Sequence, residues 1–185
     1  MTAKLNDEAM FTPLLAHPIR CRALVILAAG ESSPVEIGRE LGLMASHVAY
    51  HVRLLHEAGL IEQTDEIQRR GSIEHRYQAF PVDHLLPGHY RESSPNQLAR
   101  RAYNTLCIAV AEVNCALSSG QFEVDHRVGR FQIMVDEVAR TEVSRLYEFL
   151  EGELHRIRTE ASERLDRART KGASITALGT YFESP

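Results

Sequence analysis

Five polar or aromatic side chains fall within one short segment, at a spacing that suits one face of a helix: Ser46, His47, Tyr50, His51 and Arg53. Apolar residues recur at helical spacing through Val48, Val52 and Leu55, and they predict the opposite, buried face. Hydroxyl, imidazole and guanidinium groups are donors and acceptors suited to base edges and phosphates in a DNA groove. We therefore expect this face to contact double-stranded DNA, with Arg53 on a phosphate and the other four residues on bases.

Two helices with clear start and stop signals precede that segment. His17-Pro18 predicts the start of a helix that ends at Gly30, and a weaker helical pattern covers residues 6–16 before it. Ser33-Pro34-Val35-Glu36 predicts a capping box at the start of a short helix that ends at Leu41. Gly42 follows at a tight turn, where a positive φ is needed.

The chain changes its periodicity after Gly59. Residues 61–67 and 73–80 predict two strands, with Ile73, Tyr77 and Ala79 alternating as in a half-buried strand. Between the strands lies a basic tip that contains Arg69 and Arg70. We expect these two arginines to contact the DNA backbone or an adjacent minor groove.

This order of elements resembles the winged helix-turn-helix domain of the ArsR-like family of bacterial transcriptional regulators. The resemblance covers roughly residues 14–80 and lies in three stretches: Leu15 to Arg20, Leu41 to Ile61, and Arg70 to Tyr77. It implies a sequence-specific, DNA-binding regulator. Well-known members bind metals through two cysteines in the first helix of the motif. The matching segment here, Glu36 to Leu41, contains no cysteine, so we expect no metal site.

Composition agrees with a small cytoplasmic protein that does not span a membrane. The chain has 185 residues, of which 44% are hydrophobic, and no apolar run approaches the length of a membrane span. The N-terminal residues lack the apolar segment of a secretory signal. The net charge of −4 is not that of a basic protein. Phosphate contact therefore depends on the local field of the basic residues on the expected DNA face. These residues are His47, His51, Arg53, His56, Arg69, Arg70 and Arg76.

The remainder of the chain predicts a second unit. We expect a DNA-binding domain over residues 1–80, a linker rich in Pro, Gly and Ser over 81–95, and a dimerisation unit over 96–185. That unit is predicted as α+β: a helix over 96–117, a strand over 130–135, a long helix from Asp136 to about Arg169, and a strand over 174–182. The fold class is thus mainly α with a small β component.

The long helix carries an apolar stripe from Val143 to Leu165 that one short helix cannot cover. It predicts a homodimer that holds two DNA-reading helices about one DNA turn apart. The same unit is also a candidate site for a small apolar effector. The residues expected to contact that effector are aromatic or apolar: Phe131, Ile133, Met134, Tyr147 and Phe182.

No catalytic constellation or cofactor motif is present in the sequence. Cys107 and Cys115 are eight residues apart on one predicted helix, about 12 Å, which is too far for a disulfide. Cys21 is expected in the core of the first domain. Two alternatives remain open: a winged-helix module that binds another protein, and an enzyme whose site lies in the C-terminal unit.

Overall fold

A computed structural model describes residues 12–69, 71–80, 94–120, 133–172 and 176–177. The chain divides into two compact units. The first comprises residues 1–83 and 92–126, and the second comprises residues 84–91 and 127–185. The described part contains six helices and one two-stranded sheet. The predicted class, mainly α with a small β component, is confirmed.

The helices and strands follow the predicted order. The N-terminal unit contains α1 (Thr12–Leu15), α2 (Pro18–Ala29), α3 (Pro34–Leu41), α4 (Ala45–Glu57), β1 (Ile61–Arg69), β2 (Ser72–Ala79) and α5 (Pro95–Ser118). The C-terminal unit contains α6 (Glu137–Ala168). None of the described helices is long and apolar enough to cross a membrane.

Local capping signals set the helix boundaries, as predicted. The His17 ring accepts a hydrogen bond from the Ile19 N–H at 3.3 Å and caps α2. Ser33 and Glu36 form the expected capping box at the start of α3. Gly42 ends that helix with φ at 68°, in the left-handed region that its lack of a Cβ permits. The chain therefore turns sharply between the end of α3 at Leu41 and the start of α4 at Ala45.

Strands β1 and β2 form an antiparallel hairpin, which we call the wing. Ile61 pairs with Ala79 at its base and Arg69 pairs with Ser72 at its tip. A bulge between Gln63 and Asp65 shifts the register. Ser32, just before α3, exchanges two backbone hydrogen bonds of 2.9 Å with Tyr77. The wing is thereby attached to the start of α3.

One buried core joins the helices of the N-terminal unit to the base of the wing. Its fully buried side chains include Leu24 of α2, Ile37 of α3 and Leu55 of α4. Cys107 and Ile108 of α5 lie in the same cluster. The structure therefore groups α5 with the first unit, and the expected boundary at residues 95–96 does not coincide with the observed units. The apolar face of α5 packs on α2, a long-range contact that helical periodicity does not reveal.

In the C-terminal unit, Asp136 caps α6 by accepting a hydrogen bond from the Ala139 N–H at 2.8 Å. The helix has the predicted bounds within a residue. The predicted strand over 130–135 is wrong for residues 133–135, which form neither strand nor helix. In the described part of this unit no strand pairs with them, and an unpaired strand is not stable. The rest of that strand, and most of the strand predicted over 174–182, lie outside the described residues.

Candidate nucleic-acid interface

Helix α4 presents a polar face to solvent, which we call the recognition face: Ser46, His47, Tyr50 and Arg53. The Tyr50 ring is 51% exposed although it is large and aromatic. The Arg53 guanidinium lies 5.6 Å from the centre of that ring and 3.6 Å from the Glu57 carboxylate. These contacts hold Arg53 beside Tyr50 without burying it. Four of the five predicted residues thus share one accessible surface.

His51 does not lie on this face, and its predicted exposure is wrong. It is 3% exposed and belongs to the buried side of α4 with Val48, Val52 and Leu55. Positions 48, 51, 52 and 55 follow the i, i+3, i+4, i+7 pattern of one helix face, so the sequence contained the signal. The His51 ring stacks against the α2 cap, with its centroid 4.2 Å from that of His17. It is 5.1 Å from that of His47.

The surroundings of His51 favour the neutral imidazole. Neither ring nitrogen has a hydrogen-bond partner among the described residues. Burial lowers the pKa of His51, and the neighbouring His17, His47 and Arg20 lower it further. The buried His51 ring is therefore a packing residue, in contact with the rings of His17 and His47.

This environment predicts a pH dependence of stability. The unfolded chain takes up a proton at His51 near pH 6.5, whereas the folded chain does so only at lower pH. The contribution of His51 to the free energy of unfolding should therefore be constant above about pH 6.5. Below that pH it should fall with acid, by at most about 1.4 kcal/mol per pH unit. Denaturant unfolding from pH 7.5 to 5 measures it. His51→Phe should remove this part of the dependence, whereas His56→Gln, at an exposed position of α4, should keep it. Equal pH dependence in His51→Phe and the unsubstituted protein would contradict the assignment.

The wing reaches its tip at the pair Arg69 and Ser72. Strand β1 ends at Arg69, two residues beyond the predicted strand, and Arg70 lies outside the described residues. The predicted contact of both arginines with DNA stays a prediction.

A network of polar side chains joins the wing to the start of α3, and we call it the wing clamp: Glu31, Ser33, Glu36, Glu74 and Arg76. Arg76 of β2 donates to Glu36 at 3.0 Å and also to Glu31. The Ser33 hydroxyl donates to Glu74 at 2.6 Å. The hydrogen bond from Arg76 holds the pKa of the Glu36 carboxyl below its usual range.

The wing clamp changes the role expected of Arg76. The sequence grouped this residue with the basic DNA face, but its side chain is only 17% exposed and is bound to two carboxylates. Its partners are 40 or more positions away in the chain, so no local pattern could reveal them. Arg76 therefore links the wing to the start of α3 and does not present a free guanidinium to DNA.

Helix α5 contacts the residues that directly follow α4 and the wing. The Arg100 guanidinium lies 5.9 Å from the centre of the Phe80 ring, just after the wing. It also approaches the Gly59 carbonyl at 3.5 Å, just after α4. Sequence reasoning missed this contact because it assigned α5 to a separate unit.

The residues expected to bind an effector are not gathered into a site in the described part of the chain. Ile133 and Met134 are 63% and 100% exposed, and Tyr147 is half-buried on α6. Phe131 and Phe182 lie outside the described residues. The described residues contain no group of three or more His, Cys, Asp or Glu side chains arranged to hold a metal ion.

A cavity of about 230 Å³ lies within the N-terminal unit, where α2 meets α5. Cys21 and Cys115 both line it, although they are far apart in the sequence. The Asn114 amide donates to the Leu15 carbonyl at 3.4 Å beside them. Burial raises the pKa of both thiols, so they remain protonated at neutral pH.

The capped α3, the tight turn, the exposed polar face of α4 and the attached hairpin define a winged helix-turn-helix domain, a class of DNA-binding fold. Residues 17–63 of this domain match the family described as bacterial regulatory protein, arsR family. The match includes α2, α3, α4 and the start of β1.

Over 68 residues the chain is 35% identical to the HTH-type transcriptional regulator CmtR of Mycobacterium bovis and of Mycobacterium tuberculosis. This similarity covers 36% of the chain. It spans 58% of the length of those relatives.

Proposed function

We propose that this protein is a bacterial transcriptional regulator that binds specific DNA sites as a homodimer in the cytoplasm. The observation that carries the proposal is the recognition face. Its hydroxyl, imidazole, phenol and guanidinium groups are exposed on the second helix of a helix-turn-helix, the helix that enters the major groove in complexes of this class. The arsR-family domain and the similarity to CmtR support the same function.

The recognition face divides into two roles. Ser46 and His47 lie in the first turn of α4, and Tyr50 follows one turn later, so these side chains are the ones suited to base edges. Arg53 lies beside Tyr50 and supplies a phosphate contact. The wing tip, with Arg69 and Arg70, supplies further backbone contacts. We assign no direct DNA contact to His51, because it is buried.

A homodimer suits this function because a single domain of this kind buries a small, wet surface on DNA. Two domains held at a fixed distance bind two half-sites about 34 Å apart, and the second contact becomes intramolecular. The large exposed apolar residues of α6 support the proposal of a homodimer, because a second copy would cover them. A small apolar effector of the C-terminal unit belongs to the same proposal, in which it covers Ile133 and Met134, exposed just before α6.

Sequencing of genomic fragments retained by the purified protein tests this function. The expected result is a small set of fragments that share one two-fold symmetric sequence upstream of genes. Retention of no fragment above background, together with tight binding of another protein, would favour the alternative of a winged-helix module that binds protein.

The wing tip is expected to contribute sequence-independent phosphate contacts. Changing Arg69 and Arg70 together to Ala should weaken binding to specific and random duplexes alike, because each lost contact reduces the release of counterions. The slope of log affinity against log salt should flatten by roughly one to two units. Fluorescence anisotropy over a series of salt concentrations measures the slope, with Glu62→Gln at the exposed base of the wing as the control. An unchanged slope would remove the wing tip from the interface.

A further inference from the structure

One face of α6 carries apolar residues whose spacing is the same when counted from either end. We call these residues the α6 stripe: Ala139, Val143, Tyr147, Leu150, Leu154, Ile157, Ala161 and Leu165. Successive members are separated by 4, 4, 3, 4, 3, 4 and 4 residues, a series that is its own mirror image about residue 152. The mean separation is close to the helical repeat, so the stripe stays on one side of the helix along its length.

The α6 stripe exposes large apolar side chains. Leu150, Leu154 and Ile157 at its centre are 43%, 38% and 48% exposed, and no described residue of α6 is buried. Leu146 and Phe149, which flank the stripe, are 63% and 68% exposed. A contiguous apolar surface of this kind marks an interaction site. The helix has 32 residues and a length of about 48 Å, which suits a partner helix of similar length.

We propose that α6 pairs with α6 of a second copy of this chain in antiparallel orientation, with the two-fold axis passing at the level of residue 152. The inference rests on the homodimer of the proposed function and assigns its interface. An isologous interface places the same surface on both copies, so residues equally distant from the axis face each other. The mirror symmetry of the stripe then aligns apolar residues along the whole pair. The central layers pair Leu150 with Leu154, Tyr147 with Ile157, and Val143 with Ala161.

Charge distinguishes the antiparallel from the parallel orientation. Residues 136–151 contain five acidic residues and two arginines, a net charge of −3. Residues 153–169 contain four acidic residues and five arginines, a net charge of +1. Parallel pairing sets the acidic halves side by side, whereas antiparallel pairing sets each acidic half against the weakly basic half of the other copy.

Gly152 provides a matched control position. At 100° per residue it lies on the side of α6 opposite Leu150 and Leu154, although it is level with the axis. No atom lies within 4 Å of a Cβ built there, so a small side chain fits. A cysteine at position 152 therefore lies outside the proposed interface. It detects any cross-linking that arises from random collisions between molecules.

Oxidative cross-linking of the full-length protein tests the orientation. Leu150→Cys and Leu154→Cys variants are purified separately, mixed under reducing conditions, and oxidised in a dilute solution. Disulfide-linked dimers should form in the mixture and in neither variant alone, because only the antiparallel pair sets position 150 against position 154. The unsubstituted protein, with its three native cysteines, and Gly152→Cys should stay uncross-linked.

Each other outcome overturns the proposal. Cross-linking of Leu150→Cys or Leu154→Cys with itself would show parallel pairing. A dimer in sedimentation with no cross-link in the mixture would place the interface elsewhere and leave the homodimeric regulator standing. A monomeric unsubstituted protein would reject the α6 interface together with the homodimer, while DNA binding, measured separately, would still test the regulator. The Leu154→Glu variant should be monomeric, whereas the unsubstituted protein should be dimeric. The variant should keep the helical circular dichroism of the unsubstituted protein.

Discussion

Replacing His47 or Tyr50 by Ala is expected to weaken binding to the preferred DNA site by roughly 10- to 100-fold and to leave binding to random duplexes nearly unchanged. The reason is that these exposed side chains can reach base edges, and a good base contact contributes about 1–3 kcal/mol of discrimination. Both residues lie outside the buried core of α4, so the substitutions should also leave the fold intact. Affinities for one specific and one random duplex, at the same salt concentration, measure the effect.

Two further substitutions on α4 distinguish the loss of a base contact from the loss of a phosphate contact and from a loss of stability. Arg53→Gln should weaken both duplexes similarly, since a phosphate contact carries no sequence information. His51→Ala should lower thermal stability, because it leaves a cavity between α4 and the α2 cap. Equal losses on both duplexes for His47→Ala and Tyr50→Ala would show that these side chains do not read bases.

Removing the guanidinium of Arg76 should strongly lower the free energy of unfolding. Arg76→Met leaves the carboxylates of Glu31 and Glu36 without their shared partner and should cost about 2 kcal/mol of folding free energy, the range for hydrogen bonds to charged groups. Arg76→Lys retains the charge but cannot reproduce the planar arrangement of donors, so an intermediate loss is expected. Urea denaturation of the three proteins measures the order.

The DNA affinity of Arg76→Met tests whether the wing clamp positions the wing. If the wing needs Arg76 to reach DNA, the additional loss caused by removing Arg69 and Arg70 should be much smaller in Arg76→Met than in the unsubstituted protein. A double-mutant cycle measures this coupling. Strict additivity would show that the clamp stabilises the fold without positioning the wing.

Local sequence signals predicted the elements of the structure well. Ser33 with Glu36, His17 with Pro18, and Asp136 each set a helix start through a hydrogen bond to a residue two or three positions away. Such caps depend on neighbouring residues alone and can therefore be recognised in the sequence. The exposed positions of Ser46, His47, Tyr50 and Arg53 followed from the helical periodicity of α4.

Contacts between distant elements were harder to predict. The wing clamp joins residues about 40 positions apart, and the contact of Asn114 in α5 with Cys21 in α2 joins residues 93 positions apart. Neither leaves a periodic pattern. His51 is different, because its position in the buried stripe is visible in the sequence, whereas the polarity of a histidine favours an exposed position. The expected strand is absent at residues 133–135, where none of the described residues supplies a partner strand, and an alternating pattern alone does not provide one.

The comparison of a selected genomic fragment with a shuffled duplex of the same length and composition tests the central claim most directly. At physiological salt the protein should bind the selected fragment at least about 1,000-fold more tightly, the lower range for specific DNA-binding proteins. Equal affinity for the two duplexes, or no binding to either, would contradict the conclusion that the recognition face reads DNA sequence.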